Sequence, residues 1–290
     1  MPGKRFAKRA RPYLFLAPAL ILFAVLLVYP ILTVMNYSLY DNVITNRNPR
    51  FTGLDNFSAI LASADFWSAL GHTTYFTAVS VFFHLALGIL FALLLNTDRL
   101  NRYVKGFFRA VLILPWTFTV TIVAILWRLL LNPSGVINYL LGTESMDWFG
   151  TVGTAMNAAV FVNIWCGYPF YMVSVLAGLQ GIGRDLYEAA RIDGANAPAS
   201  LRYITLPQLK PVLSSLLMLD FIWTMQQFSL IYMTTGGGPL RSTEVLGTYT
   251  YRLAFTRMKF SMASASALII LLICMAACVF YVRRQTRSDA

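Results

Sequence analysis

Long apolar stretches alternate with short polar segments along this chain. A helix needs ~20 mostly apolar residues to cross the ~30 Å hydrocarbon layer of a bilayer. Six stretches reach that length, at about 13–39, 72–95, 107–131, 154–180, 211–233 and 261–282. The pattern predicts an all-α integral membrane protein with six transmembrane helices. An even number of spans places both termini on the same side of the membrane.

The same pattern divides the chain into three parts. Residues 1–71 contain a polar N-terminal segment, the first span and the loop that follows it. Residues 72–282 form a core of five spans, interrupted by a polar helical hairpin at 181–210. Residues 283–290 form a polar tail.

The composition agrees with a membrane protein. Of the 290 residues, 58% are hydrophobic and 12% are charged, and the mean hydropathy is +0.62. One soluble core would not hide so much apolar surface. The net charge of +11 is distributed over the edges of the spans and lacks the clustered, aromatic-interleaved patches of nucleic-acid-binding proteins. We therefore expect contact with membrane lipid and none with nucleic acid.

Lysine and arginine residues indicate the orientation, because short cytoplasmic loops are enriched in them. The N-terminal segment, the loop at 96–106, the hairpin and the tail contain or adjoin Lys4, Arg5, Lys8, Arg9, Arg11, Arg99, Arg102, Lys105, Arg109, Arg184, Arg191, Arg202, Lys210, Arg283, Arg284 and Arg287. Both termini are therefore predicted to be cytoplasmic. The loop at 234–260 disagrees, since its basic residues would be external: Arg241, Arg252, Arg257 and Lys259.

Several kinds of site are not expected. Cys166, Cys274 and Cys278 all fall within predicted spans, where a cysteine is typically a small apolar side chain. His72 and His84 have no carboxylate or thiol at ligand spacing, so we expect no metal site. No segment follows the G-x-x-x-x-G-K-[ST] pattern that cradles a triphosphate. We therefore predict that the chain is not an enzyme and that it holds no cofactor.

Two predicted spans present a polar face with the i, i+3, i+4, i+7 spacing of one side of a helix. The face of the fifth span consists of Asp220, Trp223, Thr224 and Gln227, and that of the fourth span consists of Asn163, Cys166, Gly167 and Phe170. Polar residues within a bilayer usually face a cavity, and amides and hydroxyls beside aromatic rings suit a sugar. The competing interpretation is that these residues only hold helices together.

The polar segment between these two spans has the signals of two short helices. Asp185 and Glu188 fit a capping box, which predicts a helix that begins near Leu186. Gly194 suits the left-handed position after a helix, and Pro198 suits the first turn of the next helix. Capping alone would explain these residues. It would not explain the small residues or the Ile-x-Leu-Pro sequence nearby.

This segment resembles the motif by which permease subunits of ABC importers dock on their ATPase subunits. The motif residues are Glu188-Ala189-Ala190, then Gly194, then Ile204-Thr205-Leu206-Pro207 after nine residues. The flanking sequences, Asn163-Ile-Trp-Cys-Gly-Tyr-Pro169 and Thr234-Thr-Gly-Gly-Gly-Pro239, resemble the maltose-type, carbohydrate-uptake branch, and the similarity covers roughly residues 70–282. The resemblance implies a permease of the bacterial inner membrane that works by alternating access.

The resemblance also implies roles for individual residues. The first hairpin helix would be a cytoplasmic coupling helix, and the residues that couple it to the ATPase would be Glu188, Ala189, Ala190, Asp193, Gly194, Leu206 and Pro207. The positions that contact the sugar in the maltose-type permease align with Asn163, Cys166, Gly167, Phe170, Trp223, Thr224 and Gln227. Only Asn163 and Gly167 are identical to that pattern, so the sugar itself is not implied. Asp220 is added to this set because it lies on the same polar face.

The implied partners are a second permease in a heterodimer, two ATP-binding subunits that hold ATP and Mg, and an extracytoplasmic solute-binding protein. Two other interpretations stay open. A proton-coupled secondary transporter would use the carboxylate of Asp220, and a scaffold would transport nothing. The first leaves the hairpin unexplained, and the second leaves the polar faces unexplained. Neither the class of sugar nor a role for Arg128 follows from the sequence.

Overall fold

The computed structural model of the chain describes residues 15–97, 100–143 and 146–288. Over these residues the chain is helical, with no strand and one isolated antiparallel bridge between Tyr40 and Phe51. The basic residues of the N-terminal segment and Arg99 lie outside the described residues, as do the side chains of Arg284 and Arg287.

Thirteen helices follow one another along the described residues. They are α1 (Phe15–Ser38), α2 (Asp55–Leu61), α3 (Ala64–Leu95), α4 (Arg102–Thr117), α5 (Val120–Leu130), α6 (Val136–Leu141), α7 (Val152–Gln180), α8 (Arg184–Ile192), α9 (Ala197–Ser200), α10 (Leu206–Met225), α11 (Ser229–Thr234), α12 (Leu246–Tyr251) and α13 (Phe260–Ser288). A π-helical turn, Leu201–Thr205, continues α9 into α10 without a break.

Four helices are long and apolar enough to cross a membrane, namely α1, α3, α7 and α13. They agree with the first, second, fourth and sixth predicted spans. The third predicted span is instead a bent pair, because α4 and α5 meet at 99°. Phe118 and Thr119 between them are extended, with ψ of 144° and 150°, and the Thr119 hydroxyl accepts from the backbone N–H of Ile122. Thr119 therefore caps a new helix where the apolar pattern predicts continuity.

The fifth predicted span, 211–233, is also interrupted. Helix α10 ends at Met225, and α11 begins three residues later at Ser229. Within the described part of the chain, α10 does not meet the length and hydropathy that mark the four long helices. The number of six spans therefore stays a prediction.

The chain forms two compact units. The first comprises the residues up to Ala64 together with Thr250–Ile273. Its loop after α1 is fixed by the Asn56 amide, which donates to the backbone carbonyls of Ser38 and Tyr40 at 2.9 Å each. The Asn42 side chain in turn accepts from the backbone N–H of Phe260 at 3.0 Å. Side chains of α1 are largely exposed, as expected for a helix that faces hydrocarbon.

The second unit comprises Asp65–Tyr249 and the residues from Cys274. Helices α3 and α7 form its centre. They are parallel, because residues further along α3 contact residues further along α7. The Tyr75 hydroxyl donates to Asn157 Oδ1 at 2.7 Å, and Gly88 lies against Tyr171. A Cβ atom on Gly88 would lie 2.2 Å from the Tyr171 Cβ, so a glycine is needed for this close approach.

Two apolar clusters cover this central pair. One joins α3 and α7 to α5 and α11 through Phe76, Val160, Trp127 and Ile231. The other joins the same two helices to α10 through Ala92, Met172, Leu209 and Leu216. The two clusters lie towards opposite ends of α3. The polar residues in the middle of this helix are therefore flanked by apolar side chains on both sides.

The basic loop at 234–260 contains an ion pair that the sequence did not indicate. The Arg241 guanidinium lies 2.6 Å from the carboxylate of Asp65 at the start of the second unit. Gly236 and Gly237 have left-handed φ angles of 64° and 91°, as a glycine-rich turn requires. The charge of Arg241 is therefore offset by a nearby carboxylate, although it disagrees with the predicted orientation.

Candidate functional site

Three helices contribute to a buried polar cluster in the second unit. His84 lies on α3, Asn163 on α7, and Asp220 and Thr224 on α10; none of these four residues is more than 6% exposed. The structure thus brings together the predicted polar faces of the fourth and fifth spans. It adds a histidine that the sequence analysis set aside.

Hydrogen bonds join the four residues. The His84 Nδ1 atom lies 2.9 Å from Asp220 Oδ2, and His84 Nε2 lies 2.9 Å from the backbone carbonyl of Asn163. The Thr224 hydroxyl donates to Asp220 Oδ1 at 3.1 Å. The Gln227 amide donates to Asn163 Oδ1 at 3.4 Å. These bonds satisfy the Asp220 carboxyl inside the protein, as a buried polar group requires.

Gly167 makes room for the His84 ring. A Cβ atom on Gly167 would lie 2.2 Å from His84 Nε2, which is far inside van der Waals contact. Gly167 also lies one helical turn after Asn163, whose carbonyl the ring contacts. The polar cluster therefore depends on a glycine at this position.

We expect Gly167→Ala to lower the free energy of unfolding by about 1–3 kcal/mol, because the added methyl group displaces the ring and breaks at least one of its hydrogen bonds. Gly153→Ala on the same helix is the matched control, since a Cβ atom there meets nothing within 4 Å. Denaturant unfolding of both purified variants in detergent measures the difference. Equal stability of the two variants would contradict the packing described for His84.

An aromatic group lies beside the polar cluster. The rings of Phe170 on α7 and Trp223 on α10 are 5.4 Å apart between centroids, and Trp116 on α4 lies 5.9 Å from Phe170. Trp223 is 54% exposed, so its ring is accessible. Aromatic rings next to amide and hydroxyl groups offer both an apolar face and hydrogen bonds to one ligand.

Asn163 has a buried donor without a partner. Its Nδ2 atom makes no hydrogen bond within the described part of the chain, although the residue is only 6% exposed. A buried donor left unpaired costs about 1–3 kcal/mol, so an acceptor from a ligand would be favourable there. Cys166, another predicted sugar-contacting residue, packs against the apolar cluster that contains Trp127.

The sequence analysis missed the polar row on α3. Thr73, Thr77, Ser80 and His84 are all buried and recur every three or four residues, on one side of the helix. The hydroxyls of Thr77 and Ser80 have no partner among the described residues. This periodic row was a usable signal. The sequence analysis considered His84 only as a metal ligand, and it has no carboxylate or thiol at ligand spacing.

The hairpin between α8 and α10 lies in the same unit and has the expected turn. Gly194 has a left-handed φ of 81°, the N–H of Ala195 donates to the Ala190 carbonyl at 2.8 Å, and the N–H of Gly194 donates to the Arg191 carbonyl at 3.1 Å. This is the Schellman arrangement that a glycine favours at the end of a helix. Pro198 lies in the first turn of α9, as predicted.

The predicted capping box is wrong. Helix α8 begins at Arg184 with Gly183 as its N-cap, and no side chain caps it. The Asp185 carboxylate folds against Gly183, where a Cβ atom would lie 2.3 Å from Oδ1. Asp185 is therefore inside the first turn, where its charge still favours the positive end of the helix.

The residues predicted to couple the hairpin to an ATPase lie on its surface. No residue of α8 is buried, and the exposed set consists of Glu188, Ala189, Asp193, Gly194, Leu206 and Pro207, with Ala190 half-buried. The Tyr187 hydroxyl and the Thr205 hydroxyl are 2.9 Å apart, which ties α8 to the start of α10. The predicted coupling residues are therefore accessible, and a hydrogen bond holds α8 against the start of α10.

Comparisons with known proteins agree on one family. Residues 84–287 match the family model described as binding-protein-dependent transport system inner membrane component. A probable ABC transporter permease protein of Brucella suis is 35% identical over 97% of this chain and 98% of its own length. The trehalose/maltose transport system permease protein of Thermococcus litoralis is 39% identical over 78% of this chain and 77% of its own length.

The fold is also that of a solved structure. A chain from a bacterial ABC transporter involved in the import of the acidic polysaccharide alginate superimposes with a TM-score of 0.86, over 99% of both chains. The two sequences are 24% identical, so the likeness concerns the fold.

Proposed function

The chain belongs to the family of binding-protein-dependent transport system inner membrane components, the permease subunits of ABC importers, and from this premise we propose that it conducts a carbohydrate across the inner membrane. The sugar-transporting relative of Thermococcus litoralis supports this substrate class. Mono-, di- and oligosaccharides remain equal candidates within it. The mechanism is alternating access, powered by a partner ATPase.

One observation carries the proposal. The unpartnered amide donor of Asn163 lies on α7, the helix that also carries Phe170, and the ring of Phe170 pairs with that of Trp223 on α10. A sugar has hydroxyl oxygens that accept from such a donor and apolar ring faces that stack on aromatic side chains. Gln227 completes the polar side, since its amide lies within 3.4 Å of Asn163 Oδ1 and can redirect its hydrogen bonds to a ligand.

The hairpin supports the proposed coupling to an ATPase. Its surface set, Glu188, Ala189, Asp193 and Gly194, is accessible for docking, and the Tyr187–Thr205 contact gives it a path to α10. In this proposal the hairpin is cytoplasmic, as are both termini. Two separate subunits bind ATP and Mg and hydrolyse the ATP. A second permease and an extracytoplasmic solute-binding protein complete the importer.

We expect transport to depend on ATP and not on a proton gradient. The solute-binding protein that we expect to be encoded beside this chain is first screened by thermal shift against monosaccharides, trehalose, maltose, other di- and oligosaccharides, and polyols. The stabilising sugar is then used, radiolabelled, with the reconstituted importer in proteoliposomes. Uptake should require ATP inside the vesicles and continue after a protonophore is added.

The opposite result would favour the proton-coupled alternative. If this chain alone accumulated the sugar when a pH gradient was applied without ATP, Asp220 would be the candidate proton carrier and the proposed importer would be wrong. Vesicles with an ATPase subunit that cannot hydrolyse ATP are the control, and they should show only background uptake.

A further inference from the structure

The hydrogen bonds of the His84 ring fix where its protons lie. A backbone carbonyl only accepts, so the Nε2 atom that lies 2.9 Å from the Asn163 carbonyl must carry a proton. On the other side, Nδ1 lies 2.9 Å from a carboxyl oxygen of Asp220, and one proton must lie between them. Without it, two lone pairs would face each other at that distance.

This proton count leaves the pair uncharged. The shared proton makes either an imidazolium beside a carboxylate or a neutral imidazole beside a carboxylic acid, and both have zero net charge. The side chains of His84 and Asp220 are only 3% and 9% exposed, where an unbalanced charge would be costly. The titratable side chain beside the pair is Tyr171, whose ring centroid lies 6.2 Å from that of His84 and whose hydroxyl donates to the Leu216 carbonyl.

The pair also contacts the turn of α7 that carries Asn163. His84 holds the Asn163 backbone through Nε2 and packs against Gly167, while Asp220 orients the ring from α10. The contacts thus connect α3, α7 and α10 at the level of the unpartnered Asn163 amide. We propose that His84 and Asp220 act as one uncharged, proton-sharing pair that positions Asn163 for the substrate. This rests on the proposed function, in which Asn163 contacts the sugar.

Nitrogen NMR tests the proton count directly. The chain has two histidines, so the His72→Gln variant leaves His84 as its single imidazole. In an importer in bilayers in which only this chain carries ¹⁵N-histidine, we expect a protonated Nε2 at neutral pH. With Asp220→Asn added, the ring should be neutral and still protonated on Nε2. A neutral ring with its proton on Nδ1 in either sample would overturn the proposal.

Uptake kinetics test the positioning role. The paired variant His84→Leu with Asp220→Leu removes both partners and leaves no buried charge alone, so the importer should assemble in normal amounts. We expect its KM for the sugar found in the thermal-shift screen to rise about tenfold, because the Asn163 donor is misplaced. Asp220→Asn, whose amide can still donate to Nδ1, should raise KM by clearly less than the paired variant does.

A double-mutant comparison separates this proposal from the proposed function. If the pair acts through Asn163, adding Asn163→Leu to the paired variant should raise KM no further than Asn163→Leu does alone. An unchanged KM in Asn163→Leu would reject the proposed substrate site. A raised KM in Asn163→Leu together with an unchanged KM in the paired variant would reject the positioning role. Loss of uptake in Asp220→Asn would show that the ionisable group itself is required, contrary to an uncharged pair.

Discussion

Replacing Gly194 with proline and Glu188 with lysine together is expected to abolish ATP-driven uptake, with a loss of about hundredfold or more. Proline has φ near −65°, whereas Gly194 has φ of 81°, and proline also removes the N–H that donates to Arg191. The turn between α8 and α9 therefore cannot form. Lysine reverses the charge at Glu188, an exposed position of the proposed docking face. Uptake and ATP hydrolysis by the reconstituted variant measure the loss.

A matched pair of glycines shows whether the effect belongs to the hairpin. Gly142 also follows a helix with a left-handed φ, of 64°, and a Cβ atom meets nothing within 4 Å at either Gly142 or Gly194. Gly142→Ala and Gly194→Ala therefore carry similar backbone strain, about 1 kcal/mol each. Only Gly194→Ala should weaken the coupling of ATP hydrolysis to uptake. Retention of sugar-stimulated ATPase activity and uptake by the proline-lysine variant would reject the coupling role.

Replacing Asn163 with leucine is expected to raise the KM for uptake by about tenfold or more, because the substrate loses a buried hydrogen bond. The same change removes a donor that has no partner in the described part of the chain. The sugar-free importer should therefore be as stable as the native one, or more stable. Uptake kinetics and thermal unfolding of the same preparations measure the two effects. Opposite directions of change in function and stability are the signature of a group kept for a ligand.

Asn157→Leu is the control for this prediction. Asn157 lies on the same helix, but it is exposed and accepts a hydrogen bond from the Tyr75 hydroxyl at 2.7 Å. Its replacement should leave the KM unchanged. If Asn163→Leu and Asn157→Leu have the same KM, Asn163 has no special role in substrate binding.

Local features of the sequence predicted local features of the structure. The long apolar runs predicted α1, α3, α7 and α13, because hydrophobicity over a helix-length window needs no information from the rest of the chain. The left-handed turn at Gly194 was predictable for a similar reason, since few other residues adopt that conformation. The bend at Phe118 and Thr119 was not, because the apolar run continues across it and Pro115, three residues earlier, lies inside α4 rather than at the break.

The candidate site was predicted only in part. The helical spacing identified Asn163 and Asp220 because each lies on a polar face of its own helix. It did not identify His84, whose partners are 79 and 136 residues away in the chain. Contacts at such separations depend on how helices pack, which the pattern within one helix does not encode. A row of polar positions on α3, considered with the other two faces, would have indicated a third contributor.

An unbroken helical path from Ala197 to Met225 connects the hairpin to the buried polar cluster. At 1.5 Å per residue, Thr205 and Asp220 are about 22 Å apart along one axis. A tilt of about 10° at the hairpin end would therefore displace the level of Asp220 by about 4 Å, by the geometry of a rigid rod of that length. A displacement of this size exceeds the 2.9 Å length of the hydrogen bond that links Asp220 on α10 to His84. In the proposed importer this helix would act as a lever arm, so a modest movement of the hairpin would break and remake contacts at the candidate sugar site.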